Sequence, residues 1–426
     1  MTFKSLELPE PLLRALDKAA YPSPTPIQSL AIPLILAGHD LLAQAQTGTG
    51  KTAAFALPAL QFWADANAKS GSQASHNVHT LVLTPTRELA LQVASAFGSY
   101  GQFLTPKPRI HAIIGGEETE TQTNALRKGA DIVVATPGRL LDLYGKQEIH
   151  LHQLALLVLD EADKMLSLGF AEELEKLLQI LPNKRQTLLF SATFPEKVRV
   201  LTLKVLTDPI PVRVEQAAPT LDRIQQRVIE VDTANRGRLL RHLLKTENWA
   251  QTVVFVGSKR AAANLATKLK KDGLKAVAFH GDLDQIERVA ALQFFENKRA
   301  QVLIATDIAS RGLDFEEISH VVNFDLPRSP ADYIHRIGRT ARAGKVGMAI
   351  SLISAESAAH FKLIEKRAGI QLEREHIPGF EPTDSPIENE AAVPNKGPLP
   401  VKGKRKSKKD KVREARLRVA ASSDGL

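Results

Sequence analysis

Five short runs rich in Val, Ile and Leu end in small or polar residues in the first half of this chain. They are "DLLAQAQTG" from Asp40, "HTLVLTPT" (79–86), "DIVVATPG" (131–138), "LALLVLDEAD" (154–163) and "QTLLFSAT" (186–193). Five more follow: "QTVVFVGS" (251–258), "KAVAFHG" (275–281), "QVLIATD" (301–307), "HVVNFD" (320–325) and "GMAISLIS" (347–354). Amphipathic stretches with helical periodicity separate them. A strand apolar at nearly every position is buried on both faces, and strands alternating with helices specify a parallel sheet covered on both sides. The pattern therefore predicts two α/β units, in keeping with a length of 426 residues. Prolines break the periodicity in "LTDPIPVRVEQAAPT" (206–220). The expected division is 1–208 for the first unit, 209–222 for a linker, 223–372 for the second unit and 373–426 for a basic, disordered tail. The polar stretch 66–79 reads as a surface loop.

"AQTGTGKT", Ala45 to Thr52, follows the first strand and precedes a helical run. That is the context of a P-loop, in which backbone amides and a helix N-terminus surround phosphate. Lys51 is placed to reach the β- and γ-phosphates of a nucleotide, and Thr52 to ligate Mg²⁺. Three carboxylates, Asp160, Glu161 and Asp163, crowd the end of another strand. Like charges so close need compensation. A divalent cation beside Asp160 supplies it, because ligands of a parallel sheet sit outside the carboxyl ends of its strands. Glu161 is then one residue away, placed to orient and deprotonate an attacking water. Asp163 is left for another contact.

Asp160-Glu161-Ala162-Asp163 also spells the signature of the DEAD-box RNA helicases, and the chain resembles that family over roughly residues 1–370. The resemblance implies two RecA-like domains and an ATP site with Mg²⁺. "PTPIQ" (24–28) is similar to the family's Q motif, which implies that Gln28 reads the adenine edge and Phe3 stacks on the base. Ala45, Gln46, Thr47, Gly48, Thr49, Gly50, Lys51 and Thr52 fall on its phosphate loop. "PTRELA" (85–90), Gly115-Gly116 and "TPGR" (136–139) resemble its RNA-contact motifs, so Thr86, Arg87, Gly116, Thr136 and Arg139 are implied contacts to RNA backbone. Ser191 and Thr193 resemble the element coupling nucleotide state to strand separation. In the second unit Arg288 and Thr306 are implied RNA contacts and Asp314 a contact to the ATP ribose. His335 is implied as a link to Asp163, and Arg339 and Arg342 as arginine fingers. Two positions depart from the family pattern: Ala20 and Ala341 stand where Gly is usual. The short appendages resemble bacterial members.

Charge narrows the partners. Lys402–Arg418 holds ten basic residues against two acidic ones, eight of the chain's nine net positive charges. Such a tail makes RNA binding salt-dependent if it meets phosphates, and serves equally as a solubilising appendage. Cysteine is absent, excluding disulfide scaffolds and thiolate zinc sites. His76, His79, His150 and His152 lack the spacing of a metal site. No apolar run reaches membrane-spanning length, and "MTFKSLELPEPLLRAL" lacks the features of a signal peptide, so the expected place is the cytoplasm.

The expected function is RNA-stimulated ATP hydrolysis coupled to local unwinding of short duplexes or remodelling of RNA–protein complexes. Contacts to phosphate, sugar and 2′-hydroxyl give little sequence specificity. An ATP-gated RNA clamp that holds RNA without processive unwinding needs the same motifs and stays open as the alternative. A P-loop ATPase acting on DNA or a non-nucleic substrate is disfavoured by the Q motif and the Arg-rich segment.

Overall fold

The computed structural model describes residues 2–45, 48–70, 77–214, 224–310, 318–341 and 346–383. Its first seven strands are β1 Leu41–Gln44, β2 Thr80–Leu83, β3 Ile110–Ile113, β4 Ile132–Ala135, β5 Leu156–Leu159, β6 Gln186–Ser191 and β7 Ile210–Arg213. They form one sheet in the order β3-β4-β2-β5-β6-β1-β7, parallel throughout. The second sheet takes β8 Ile224–Glu230, β9 Thr252–Phe255, β10 Ala276–Phe279, β11 Val302–Ala305, β12 His320–Asn323, β13 Gly347–Ile353 and β14 Arg374–Glu375. Its order is β10-β11-β9-β12-β13-β8-β14, again parallel.

The apolar runs are buried on both faces because successive side chains point to opposite sides of a strand. Leu156 and Val158 enter one core with Phe55, Phe97 and Phe190, while Leu157 and Leu159 enter the other with Leu81 and Val133. The second sheet repeats this, with Val254 and Ile304 on one side and Val253, Phe255 and Leu303 on the other.

Both expected inner boundaries move. β7 lies within the stretch expected as a linker, yet pairs with β1 along its whole length. Its proline, Pro211, is tolerated because it is an edge strand with one side unpaired. β14 lies within the stretch expected as tail, yet pairs with β8. Ile377 and Phe380 then pack on the second core, and Thr383 binds Asp232 through its N–H and hydroxyl. The helix Lys51–Ser70 runs into the stretch expected as a loop. Residues 384–426, and with them the basic run, lie outside the described residues. No helix among the described residues is long and apolar enough to cross a membrane.

Sheet order decides what meets at the carboxyl edge. β5, β6 and β1 are neighbours, so the acidic cluster, the Ser191–Thr193 turn and the P-loop stand side by side. β2, β4 and β3 continue the row, bringing Thr86, Thr136 and Gly115-Gly116 to the other half of the same edge.

Candidate active site and nucleic-acid interface

The P-loop closes on two left-handed glycines, Gly48 (φ 79°) and Gly50 (φ 88°). A Cβ at Gly50 would stand 2.4 Å from the Gln28 amide nitrogen. The close approach has a purpose, since Gln28 Nε2 donates to Gly50 O (3.0 Å) while its Oε1 accepts from Thr25 N–H (2.9 Å). Fully buried, Gln28 thus ties the cap of the helix Pro26–Leu36 to the phosphate loop. An amide retains a second donor and a second acceptor site for a base. Phe3 is buried and meets Tyr21 edge-on, with ring centroids 6.4 Å apart; Tyr21 in turn meets Tyr100. Ala45 sits in the core, its N–H bonded to Ser191 O. Gln46 and Thr47 lie outside the described residues.

Lys51 and Asp160 face each other at 3.8 Å, both buried. That separation is too long for a hydrogen bond. Lys51 Nζ, Asp160 Oδ1, Glu161 Oε2 and Asp163 Oδ1 are all buried with no hydrogen-bond partner. Buried polar atoms are normally satisfied, so the three orphans that line one cleft, on Lys51, Asp160 and Glu161, suit an anion at the ammonium and a cation or water at the carboxylates. Burial raises the Asp160 pKa to about 6, against the opposing pull of Lys51. A nearby cation restores its charge. Asp160 with the Thr52 hydroxyl offers the hard oxygen donors that Mg²⁺ prefers, and phosphate oxygens complete such a site. The residues present fit both groups. A cleft of about 850 Å³ opens here, lined by Gly48, Lys51, Asp160 and Glu161 from the first unit and by Val289 and Gln293 from the second.

Glu161 is strained into the left-handed region (φ 53°, ψ 49°) at the start of the helix Ala162–Ser167. Such a conformation costs about 1–3 kcal/mol and is retained where surroundings enforce it. Its Oε1 accepts from Lys164 Nζ at 2.7 Å, leaving Oε2 aimed at the cleft. Lys164 escaped the sequence reading, because a Lys after the acidic signature looks like an ordinary helix residue; burial and Arg339 lower its pKa while Glu161 raises it. Arg339, from the second unit, is buried and feels the Glu161 carboxylate. Arg342 and Asp314 lie outside the described residues.

Asp163 Oδ2 accepts from both the N–H (3.1 Å) and the hydroxyl (2.7 Å) of Thr193, and Ser191 Oγ donates to Thr193 O. Two hydrogen bonds therefore tie the acidic cluster to the turn after β6. His335 feels Asp163 electrostatically, while burial, Lys164 and Arg339 lower its pKa.

The RNA-contact candidates are distributed as follows. Thr86 caps the helix Arg87–Tyr100, its Oγ1 accepting from Leu89 N–H. Thr136 sits at the start of the helix Pro137–Gly145, and Arg139 donates to Glu117 O. Gly116 adopts a left-handed conformation (φ 80°) that strains any other residue, and the Arg87 guanidinium lies against it. Thr306 directly follows β11 and is half-buried. Arg288 makes contacts that the sequence did not indicate. Its Nε donates to Glu88 Oε1 at 2.6 Å, its Nη1 donates to His280 O, and its guanidinium lies 4.6 Å from the Phe279 ring centroid. Only 8% of the residue is exposed, and its guanidinium bridges Glu88 of the first unit and His280 of the second. Sequence reading missed Glu88, Arg336 and Asp307 as well; Arg336 pairs with Asp307 (2.6 Å) and bonds Asn323, bracing the carboxyl edge of the second sheet.

Two parallel sheets in RecA-like order, one bearing a P-loop beside an acidic strand end and the other an arginine-rich helix end, define a P-loop nucleotide-driven motor. Residues 25–201 match the family model described as DEAD/DEAH box helicase, and residues 235–344 the helicase conserved C-terminal domain. The DEAD-box ATP-dependent RNA helicase RhpA of Helicobacter pylori is 40% identical over 377 residues, covering 88% of this chain and 74% of that protein. CshA of Bacillus subtilis is 38% identical over 381 residues, covering 89% and 75%. Among solved structures, S. cerevisiae Dbp5 bound to RNA and ADP BeF3 superposes with a TM-score of 0.76 at 32% identity, over 88% of this chain and 95% of that one. This chain belongs to the DEAD-box ATP-dependent RNA helicase family.

Proposed function

We propose that the protein is an ATP-dependent RNA helicase whose RNA-stimulated ATP hydrolysis separates short duplexes or remodels RNA–protein complexes, in the cytoplasm. One observation carries the mechanistic reading: Glu161 lies between a cation of its own unit, Lys164, and one of the other, Arg339. The hydrolytic site is complete only when both units meet. The backbone amides of Gly48–Gly50, Lys51 and the Thr52 hydroxyl would hold the phosphates, and Asp160 with Thr52 would hold Mg²⁺, which supplies charge neutralisation on the transferring phosphoryl group. Lys164 fixes one Glu161 oxygen, and the other takes the proton of the attacking water. Arg339 and Arg342 stabilise the charge that spreads onto the departing oxygens. Gln28 passes occupancy of the base site to the phosphate loop through Gly50. Thr86, Arg87, Gly116, Thr136, Arg139 and Thr306 line the carboxyl edges as the RNA track, and the Asp163–Thr193 unit couples nucleotide state to that track.

The resemblance to Dbp5 captured with RNA supports RNA as the ligand of the track. Steady-state ATPase with and without single-stranded RNA tests the reading. Stimulation of about tenfold or more is expected, and DNA of the same length should stimulate far less. Displacement of a short labelled strand from an RNA duplex with ATP separates unwinding from a clamp, since a clamp would hydrolyse and bind without release.

A further inference from the structure

Outside its basic tail the chain is almost neutral, yet that neutrality hides segregated charge. Between Arg236 and Lys275 stand ten basic residues, five of them on the helix Lys259–Lys271, against two acidic ones, Glu247 and Asp272. Both acids are already committed, Glu247 to Arg227 and Trp249 and Asp272 to Arg241. The helix turns Ala262, Leu265, Ala266 and Leu269 inward. Arg260, Asn264, Lys268 and Lys271, spaced four, four and three residues apart, share the outer face and are all exposed. Among the described residues no carboxylate pairs with Arg260, Lys268, Lys270, Lys271 or Lys275. From Arg260 to Lys271 the row runs about 16 Å, the rise of roughly five stacked nucleotides.

This face begins at the cleft. The helix starts where β9 delivers Gly257, whose N–H bonds Asp325, at the carboxyl edge of the second sheet. Lys259 pairs with Asp282, two residues beyond His280, whose carbonyl accepts from Arg288, the residue that bonds Glu88 of the first unit. Lys259 therefore stands at the carboxyl edge, and the rest of the row follows it away from that edge. The face carries hydrogen-bond donors and no large apolar side chain, which suits phosphate and sugar and lacks the wedge an anionic membrane surface would engage.

We propose that the outer face of the helix Lys259–Lys271, continued by Lys275, is a second RNA-backbone surface that takes up RNA emerging from the cleft. It rests on the helicase reading and adds to it a length dependence: RNA that only fills the track is bound by the track, and longer RNA gains this surface.

The test uses the full chain and its Arg260→Gln/Lys268→Gln/Lys271→Gln variant, with labelled oligouridylates of about 6 and about 30 nucleotides and a non-hydrolysable ATP analogue. The variant should bind the longer RNA about tenfold more weakly near ~0.1 M salt, and its log–log salt slope should be shallower by about 2, three contacts at ~0.7 each. Binding of the shorter RNA and the ATPase it stimulates should not change. Equal losses for both lengths would overturn the proposal by making the helix part of the track. No loss for either would also overturn it and leave the surface to an acidic protein partner. If the unaltered protein neither bound nor responded to the shorter RNA, the helicase reading would fail first, and this proposal with it.

Discussion

Glu161 is held by its neighbours at the scale of one residue. Lys164 donates to Oε1, while Oε2 is buried without a hydrogen-bond partner and is the oxygen proposed to take the proton of the attacking water. Glu161→Gln is expected to bind nucleotide and RNA normally while kcat falls about 100-fold or more. Lys164→Met should reduce kcat about tenfold with KM for ATP within about twofold, because orientation of the base is lost and phosphate binding is not. Lys164→Arg should restore most of the rate; failure of that rescue would assign Lys164 to packing alone. The acidic signature was legible in the sequence because its residues are defined by spacing. Lys164 was not, since its importance depends on a side chain turning back three residues into a buried site. The glycines divide in the same way. Gly48 and Gly50 follow from the P-loop pattern, whereas Gly116 owes its place to a left-handed φ and has Arg87, 29 positions away in sequence, beside it only in the fold.

At the scale of elements, nine of the ten strands recovered from sequence are interior ones covered on both faces, and the tenth, β10, lies at a sheet edge but is still an apolar run. The ones missed are β3, β7, β8 and β14, which lie at or beside sheet edges. β8 reads "IQQRVIE" and β7 "IPVR", and edge position permits the polar residues and proline that hide them from a periodicity argument. The opposite end of the second sheet carries a pH-sensitive element of its own. His320, at the start of β12, stacks on Trp249 with centroids 4.7 Å apart, and the indole N–H bonds Glu247. Burial lowers the His320 pKa to about 4, with Glu247 opposing and Arg227 assisting. An imidazole neutral in the fold but protonated near pH 6.5 when unfolded contributes stability that is full above that pH and lost as pH falls toward 4. After allowance for its partial exposure, the effect is about 1–2 kcal/mol. Thermal melts should therefore show the second unit losing several degrees between pH 7 and pH 4.5, and His320→Gln should flatten that dependence. An unchanged slope in the variant would move the effect to other groups.

For the molecule as a whole, the two units are each intelligible from sequence, and their meeting is not. The Arg288–Glu88 pair joins residues 200 positions apart, and no pattern along the chain links them. Sequence similarity marks Arg288 as a contact to RNA; its geometry makes it a contact to the other unit, buried against Phe279 and held by a carboxylate. The two assignments predict different energetics. If Arg288 serves closure, then Glu88→Gln and Arg288→Gln should each weaken RNA binding in the presence of an ATP analogue by about 100-fold, roughly 2.7 kcal/mol. The double variant should then be little worse than either single one, because one interaction has been removed twice. If Arg288 instead grips phosphate directly, Glu88→Gln should be nearly silent and Arg288→Gln should reduce the salt slope by about one contact. The cycle has to be run with the nucleotide analogue present. If the pair forms only on closure, binding without nucleotide should be almost indifferent to either substitution. Strong coupling in the absence of nucleotide would mean that the units are docked before ATP arrives, and that closure cannot be what hydrolysis waits for.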